Sequence, residues 1–186
     1  MLCGDIMPKH DNLLWCIRQK RGIKLVTPND NLRREYLRKA RSSLNMLDAA
    51  VERSEADWII TTAYYARYFA LYALLQKCGI KSEIHDCSIE LLRLFVERGV
   101  VGEEALEDLA ASKKLRIEAQ YYVREALERK DLLRAAKSAR ESVISLEEAI
   151  ERITEQEISQ IRDNISKLRA LSKKQRRNEA QGRKML

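Results

Sequence analysis

Apolar residues recur every three or four positions along most of this chain, with charged residues between them, and that period predicts helices almost throughout. Residues 1–28 break the pattern. They read as irregular, with a short helix around 10–19, because Gly22 and Pro28 interrupt anything longer. Leu37, Ala40, Leu44, Leu47 and Val51 then line one face of a helix over 32–53, which Asn29 or Asp30 can cap. The next helix, 58–78, carries two stripes. Ala63, Ala66, Ala70 and Ala73 form a small-residue face that admits a close neighbour, and Tyr65, Phe69 and Tyr72 form a second face. A helix with two faces to bury belongs in the middle of a bundle. Gly79 ends it, and a connector over 80–86 carries His85. Ser88 can cap a third helix holding Leu91, Leu92 and Phe95, which Gly99 stops. A fourth helix is expected over 103–127 with a break near Ser112, and Asp131 can cap a fifth, lined by Ala136, Val143, Leu146, Ile150 and Ile153.

The apolar stripe does not stop there. Ile158, Ile161, Ile165, Leu168 and Leu171 continue it, and no Gly or Pro occurs between Asp131 and Gly182. A single helix of about 40 residues would be about 60 Å long, more than a small bundle can cover. Either the chain turns back near 155–157, or its far half packs on another chain. The uncovered isoleucines lead us to expect a homodimer, through the fourth helix or this extension. The expected architecture is an all-α, up-and-down helical bundle over 29–155. An irregular segment (1–28) precedes it, and a long C-terminal helical extension (156–186) ending in a basic tail follows.

Charge sharpens the picture at that end. The net charge is +7, and residues 163–186 hold eight cations against Asp163 and Glu179, hence +6, which leaves the other residues near neutral. Lys173, Lys174, Arg176 and Arg177 are therefore candidate RNA-binding residues, because cations that neutralise phosphates release counterions. The same end also reads as a frayed helix terminus kept soluble by charge. It has no aromatic residue on which a base could stack. The four cysteines, Cys3, Cys16, Cys78 and Cys87, show no CxxC spacing, and early charge argues against a secretion signal. They read as reduced thiols in a cytoplasmic protein. No apolar run reaches the length of a membrane span. Glycine-rich phosphate loops, HExxH and clustered Cys/His sets are also absent from the sequence, so neither a metal nor a cofactor is expected.

Several short pieces in a fixed order resemble the HEPN family of helical domains. They are Pro28-Asn29-Asp30-Asn31-Leu32 with Tyr36 and Ala40, Tyr64-Tyr65-Ala66 with Phe69, Gly79-Ile80-Lys81 with His85, and Leu115-Arg116 with Ala119 and Tyr121. The resemblance spans roughly 23–150. It implies nucleotide or RNA binding, a toxin–antitoxin setting and a small nucleotidyltransferase as protein partner. It also implies a metal-independent ribonuclease motif, an Arg followed four to six residues later by a His. The pair has a chemical logic: His moves a proton near neutral pH while Arg stabilises charge on phosphorus-bound oxygens.

Arg116 occupies the Arg position, but Gln120, Tyr121 and Tyr122 follow it, and no His occurs later in the chain. Tyr, with a pKa near 10, is a poor base at neutral pH. The reading that survives is a polar cluster of Arg116, Lys113, Tyr121 and His85 facing Tyr65 and its helix, able to hold a phosphate or a base. That makes a binding protein the expectation, with an active ribonuclease toxin and a structural interaction module as alternatives. The competing reading of Arg116 is an ion pair with Asp57, Glu118 or Asp86. For His85 it is a helix cap or a surface position.

Overall fold

The computed structural model describes residues 11–122 and 127–182, with backbone only for 177 and 179–182. Seven helices and two short strands are described. They are α1 (Asp11–Arg18), β1 (Lys24–Leu25), α2 (Asp30–Glu52), α3 (Ala56–Lys77), β2 (Ile80–Lys81), α4 (His85–Val96), α5 (Glu103–Tyr121), α6 (Arg129–Arg152) and α7 (Glu155–Gly182). The fold is the expected all-α helical bundle. Asn29, rather than Asp30, caps α2, its side chain accepting from the Leu32 amide at 2.9 Å.

α3 is the axis of the bundle and packs against α2, α4, α5 and α6. Ala66, Ala70 and Ala73 are fully buried and Ala63 nearly so, as a face built for close approach requires. Gly79 has φ +62°, the left-handed conformation that closes α3. Arg162 of α7 locks this corner: its Nη1 donates to the carbonyls of Val26 (3.0 Å), Cys78 (2.9 Å) and Gly79 (2.7 Å). A cation at a helix C-terminus also suits the helix dipole.

Three expectations need correction, and one open choice is resolved. First, the connector after α3 is partly strand: β1 and β2 pair antiparallel, Lys24 opposite Lys81 and Leu25 opposite Ile80. Second, α4 begins at His85, so Ser88 does not cap it. Ser88 is buried inside the first turn, its hydroxyl donating to the Ile84 carbonyl at 3.1 Å. Nor does α5 break at Ser112, whose hydroxyl satisfies itself on the Leu109 carbonyl at 3.1 Å. Asp131, expected to cap α6, sits in its first turn, with Glu128 at the cap position.

Third, of the two courses left open for the C-terminal stripe the chain takes the turn, slightly before 155–157, so that α6 and the long α7 are separate helices. The chain turns at Ile153 and Thr154, where a capping box starts α7. The Thr154 amide donates to Glu157 Oε2 at 2.8 Å and the Glu157 amide to Thr154 Oγ1 at 3.2 Å. The Thr154 backbone bond also holds the Glu157 carboxyl below its usual pKa. α7 then packs beside α1, and Ile158, Ile161, Ile165 and Leu168 enter the same core as Leu13, Leu71 and Phe95. The stripe that lacked a cover in the sequence is covered by its own chain.

Fourth, Cys16 and Cys87 form a disulfide that ties α1 to α4 across 71 residues of sequence. Spacing could not reveal it, because it depends on how α1 packs. Cys78 is a free buried thiol, its pKa pushed up to about 12 by burial, while Cys3 and His10 lie outside the described residues. No helix among the described residues is long and apolar enough to cross a membrane.

Candidate nucleotide and RNA site

Residues Tyr64 and Tyr68 stand one turn apart on α3, on the side that faces α4 and α5. Tyr64 is fully buried and its hydroxyl lies 2.6 Å from His85 Nδ1. The Tyr68 ring stacks on the His85 imidazole, centroids 4.1 Å apart and planes 13° from parallel. Burial raises the pKa of both tyrosines. Burial lowers that of His85, helped by the positive charges of Arg116 and Lys113 and opposed by Asp86. Tyr64 therefore keeps its proton and His85 is held toward the neutral imidazole, whose single ring proton sits on one nitrogen or the other.

Arg116 enters from α5. Its guanidinium carbon lies 5.2 Å from the centre of the Tyr64 ring, within cation–π range. Nη1 donates to Gln120 Oε1 at 2.6 Å, while Nε is buried without a hydrogen-bond partner. No carboxylate lies within ion-pair distance of Arg116 among the described residues, so the expected pairing with Asp57, Glu118 or Asp86 is not made. Asp86 pairs with Lys113 instead. The physical reason is register: Lys113 lies one turn nearer the start of α5, beside the first turn of α4.

Of the residues singled out from sequence, the structure brings Arg116, Lys113 and His85 together. It leaves Tyr121 apart, 72% exposed at the last residue of α5. Tyr65 is half-buried beside the cluster, its ring 5.3 Å from that of Tyr64. Lys173, Lys174 and Arg176 are exposed on α7, remote in sequence from the cluster, and the Arg177 side chain, Arg183 and Lys184 lie outside the described residues. The tail is not a loose end as far as Gly182. α7 is helical there, Arg18 of α1 bonds Ser172 and Gln175, and Arg176 Nη2 donates to the Arg18 carbonyl at 3.1 Å. Sequence reading missed the contributions of Tyr64 and Tyr68 to the site, although their spacing of four residues placed them on one face.

The lowered pKa of His85 has a consequence for stability. Folding favours the neutral imidazole, so this contribution is fully present above the unfolded pKa and is lost as pH falls through the lower folded value. Stability to urea should decline as pH drops below about 6.5, and His85→Gln should flatten that limb; an unchanged limb would show that His85 is not held neutral.

Among the described residues no group of three or more His, Cys, Asp or Glu side chains could hold a metal ion. No curated protein sequence matches the chain. A family model for the HEPN domain matches residues 34–150, from the first turns of α2 to the last turn of α6 and including every residue of the Tyr64–His85–Arg116 cluster. With well over half its length so matched and the bundle in place, the chain belongs to the HEPN-domain family.

Proposed function

We propose that this chain binds RNA or a nucleotide through its phosphate, at Arg116, Lys113 and His85 beside Tyr64 and Tyr65. In this reading it acts as a toxin–antitoxin component, a homodimer working with a small nucleotidyltransferase, without cutting RNA at a useful rate. The observation that carries the reading is Arg116, a cation with no carboxylate paired to it among the described residues and one buried N–H unpaired. Leaving such a group unpaired is costly unless something else uses it. An anion bound there would take its free donors in the planar fork geometry that suits phosphate. The partner and the biological setting rest on family membership. For the dimer, α7 is no longer a candidate face, which leaves α5, where Tyr121 and the following Tyr122 are exposed.

The second reading is a metal-independent ribonuclease. It is favoured by one observation: Arg116 and His85, from different helices, both touch Tyr64. One experiment separates the two. Single-stranded RNA should bind the purified chain in EDTA and remain intact, and Arg116→Ala should weaken binding by about tenfold or more, the loss of one charge-assisted contact. Cleavage abolished by either Arg116→Ala or His85→Ala would replace the binding reading with the nuclease. A monomer in sedimentation would remove the dimer.

A further inference from the structure

The Tyr68–His85 stack forms one wall of an open groove of about 780 Å³ between α2, α3 and the two-strand ladder. Tyr36, Phe69 and Tyr72 line it, with ring centroids 6.3 Å (Tyr36–Phe69) and 5.0 Å (Tyr36–Tyr72) apart. These rings are only partly buried, although core contacts were available to them. Lys39 Nζ lies 5.5 Å from the Tyr36 and Phe69 ring centres, and Lys81 lines the floor. The one carboxylate lining the groove, Glu83, is held between Lys81 Nζ and Arg21 Nε, both at 2.8 Å.

The ladder sets this groove beside a second one. Lys81 is paired directly with Lys24, and both are exposed. Residues directly opposite in a ladder project to the same face about 4.5–5.5 Å apart, and like charges so placed are destabilising. Lys24 in turn borders a cleft between α1 and α7 that contains Arg18, Arg169, Lys173 and Arg176. Aromatic rings with flanking lysines, leading into a row of cations, is the pattern of a surface that stacks bases and follows a phosphate backbone.

We propose that the Tyr36–Phe69–Tyr72 groove stacks the bases of a single-stranded RNA, and that Lys81 and Lys24 carry its phosphates across the ladder into the cleft between α1 and α7. This rests on the reading of the Arg116 cluster as an RNA site and extends it through His85, which the cluster and the groove share. It also supplies the stacking surface that the C-terminal tail lacks, since Lys173 and Arg176 line the cleft that Lys24 borders. The ligand class is single-stranded rather than duplex, because paired bases cannot present their faces to the rings.

The test uses the full chain and end-labelled single-stranded oligoribonucleotides, with an abasic ribose-phosphate oligomer of equal length and an RNA duplex as comparison probes. Tyr36→Leu should weaken binding of the base-bearing oligomer by about 5- to 100-fold, the value of one stacked base. It should leave the abasic oligomer unaffected, and Tyr36→Phe should restore affinity. Lys24→Gln with Lys81→Gln should reduce the log–log salt slope by about 1.4, two single-strand phosphates. Equal effects of Tyr36→Leu on both oligomers, or an unchanged slope in the lysine variant, would overturn the track, as would tighter binding of the duplex. The lysine variant decides the matter if Tyr36→Leu folds poorly, because both lysines are exposed. If Arg116→Ala abolishes binding while the groove and ladder variants do not change it, the track falls and the Arg116 site stands. If the groove variants weaken binding and Arg116→Ala does not, the track stands alone. If no oligomer binds even at low salt, both fall.

Discussion

Ile161→Asp should unfold this protein or come close to it. Ile161 is fully buried on α7, in the core that also holds Leu13 and Leu71. Aspartate there would bury a carboxylate with no partner, a change in the class that costs about 4 kcal/mol or more. That is a large share of the roughly 5–15 kcal/mol that holds a typical domain together. The measurement is urea unfolding followed by circular dichroism at several protein concentrations. The midpoint should fall steeply and by the same amount at each concentration, because the lost packing lies within one chain. If instead the monomer kept its stability and only an association weakened with dilution, α7 would be covering a second chain. Ile165→Asp should behave alike, as Ile165 is also fully buried.

Removing Arg67 should have the next largest effect. This arginine is 4% exposed on the central helix, and it joins three helices. Nη1 donates to the Ala63 carbonyl at 3.3 Å, Nη2 to Ser138 Oγ at 3.0 Å, and Nε to Ser142 Oγ at 3.3 Å. The two serine hydroxyls pass the charge on by donating to Asp108 Oδ2 of α5, at 2.6 and 3.3 Å. Burial lowers the Arg67 pKa and the negative charge of Asp108 opposes that shift. Arg67→Met would keep much of the volume but remove the cation facing Asp108 and leave both serine oxygens and the Ala63 carbonyl a donor short, at a cost of about 1–3 kcal/mol. Arg67→Met with Asp108→Asn should recover part of that loss, since the orphaned charge goes too. Arg67→Lys should fall between, because an ammonium cannot reach three partners in a planar fork. Equal stability of Arg67→Met and the natural chain would mean the network contributes nothing net, an outcome known for some buried charge networks.

Sequence reading and structure agree where local physics decides. The period of alanines and aromatics on α3 made it central whatever surrounded it, since a helix apolar on two sides has no stable place at a surface. Asn29 and Gly79 acted at the chain positions where a cap and a left-handed residue are required. Arg116 was identifiable as a site candidate from its place in the HEPN pattern. Its grouping with His85 was legible too, though not the Tyr64 ring that the two share. The motif led one to seek a histidine after Arg116, whereas the histidine that shares Tyr64 with it comes from the start of α4, 31 residues earlier. Arg67 went unremarked because a single charge within an apolar helix shows nothing of the serines and aspartate that satisfy it.

The amino-acid sequence by itself determined that this chain is a helical bundle around a central helix placed at 58–78, with its net positive charge gathered at the C-terminal end. Periodicity, capping and composition are properties of neighbours along the chain, and they need no partner to be read. Tertiary structure alone decided what lies between distant segments. The turn at Ile153–Thr154 sent α7 back over the core, and the packing of α1 joined Cys16 to Cys87. The meeting of α3, α4 and α5 set Arg116 on the Tyr64 ring, with no carboxylate paired to it among the described residues, beside a His85 whose pKa burial lowers. Each of these depends on which faces meet in three dimensions, and a helical repeat specifies a face without naming what will cover it.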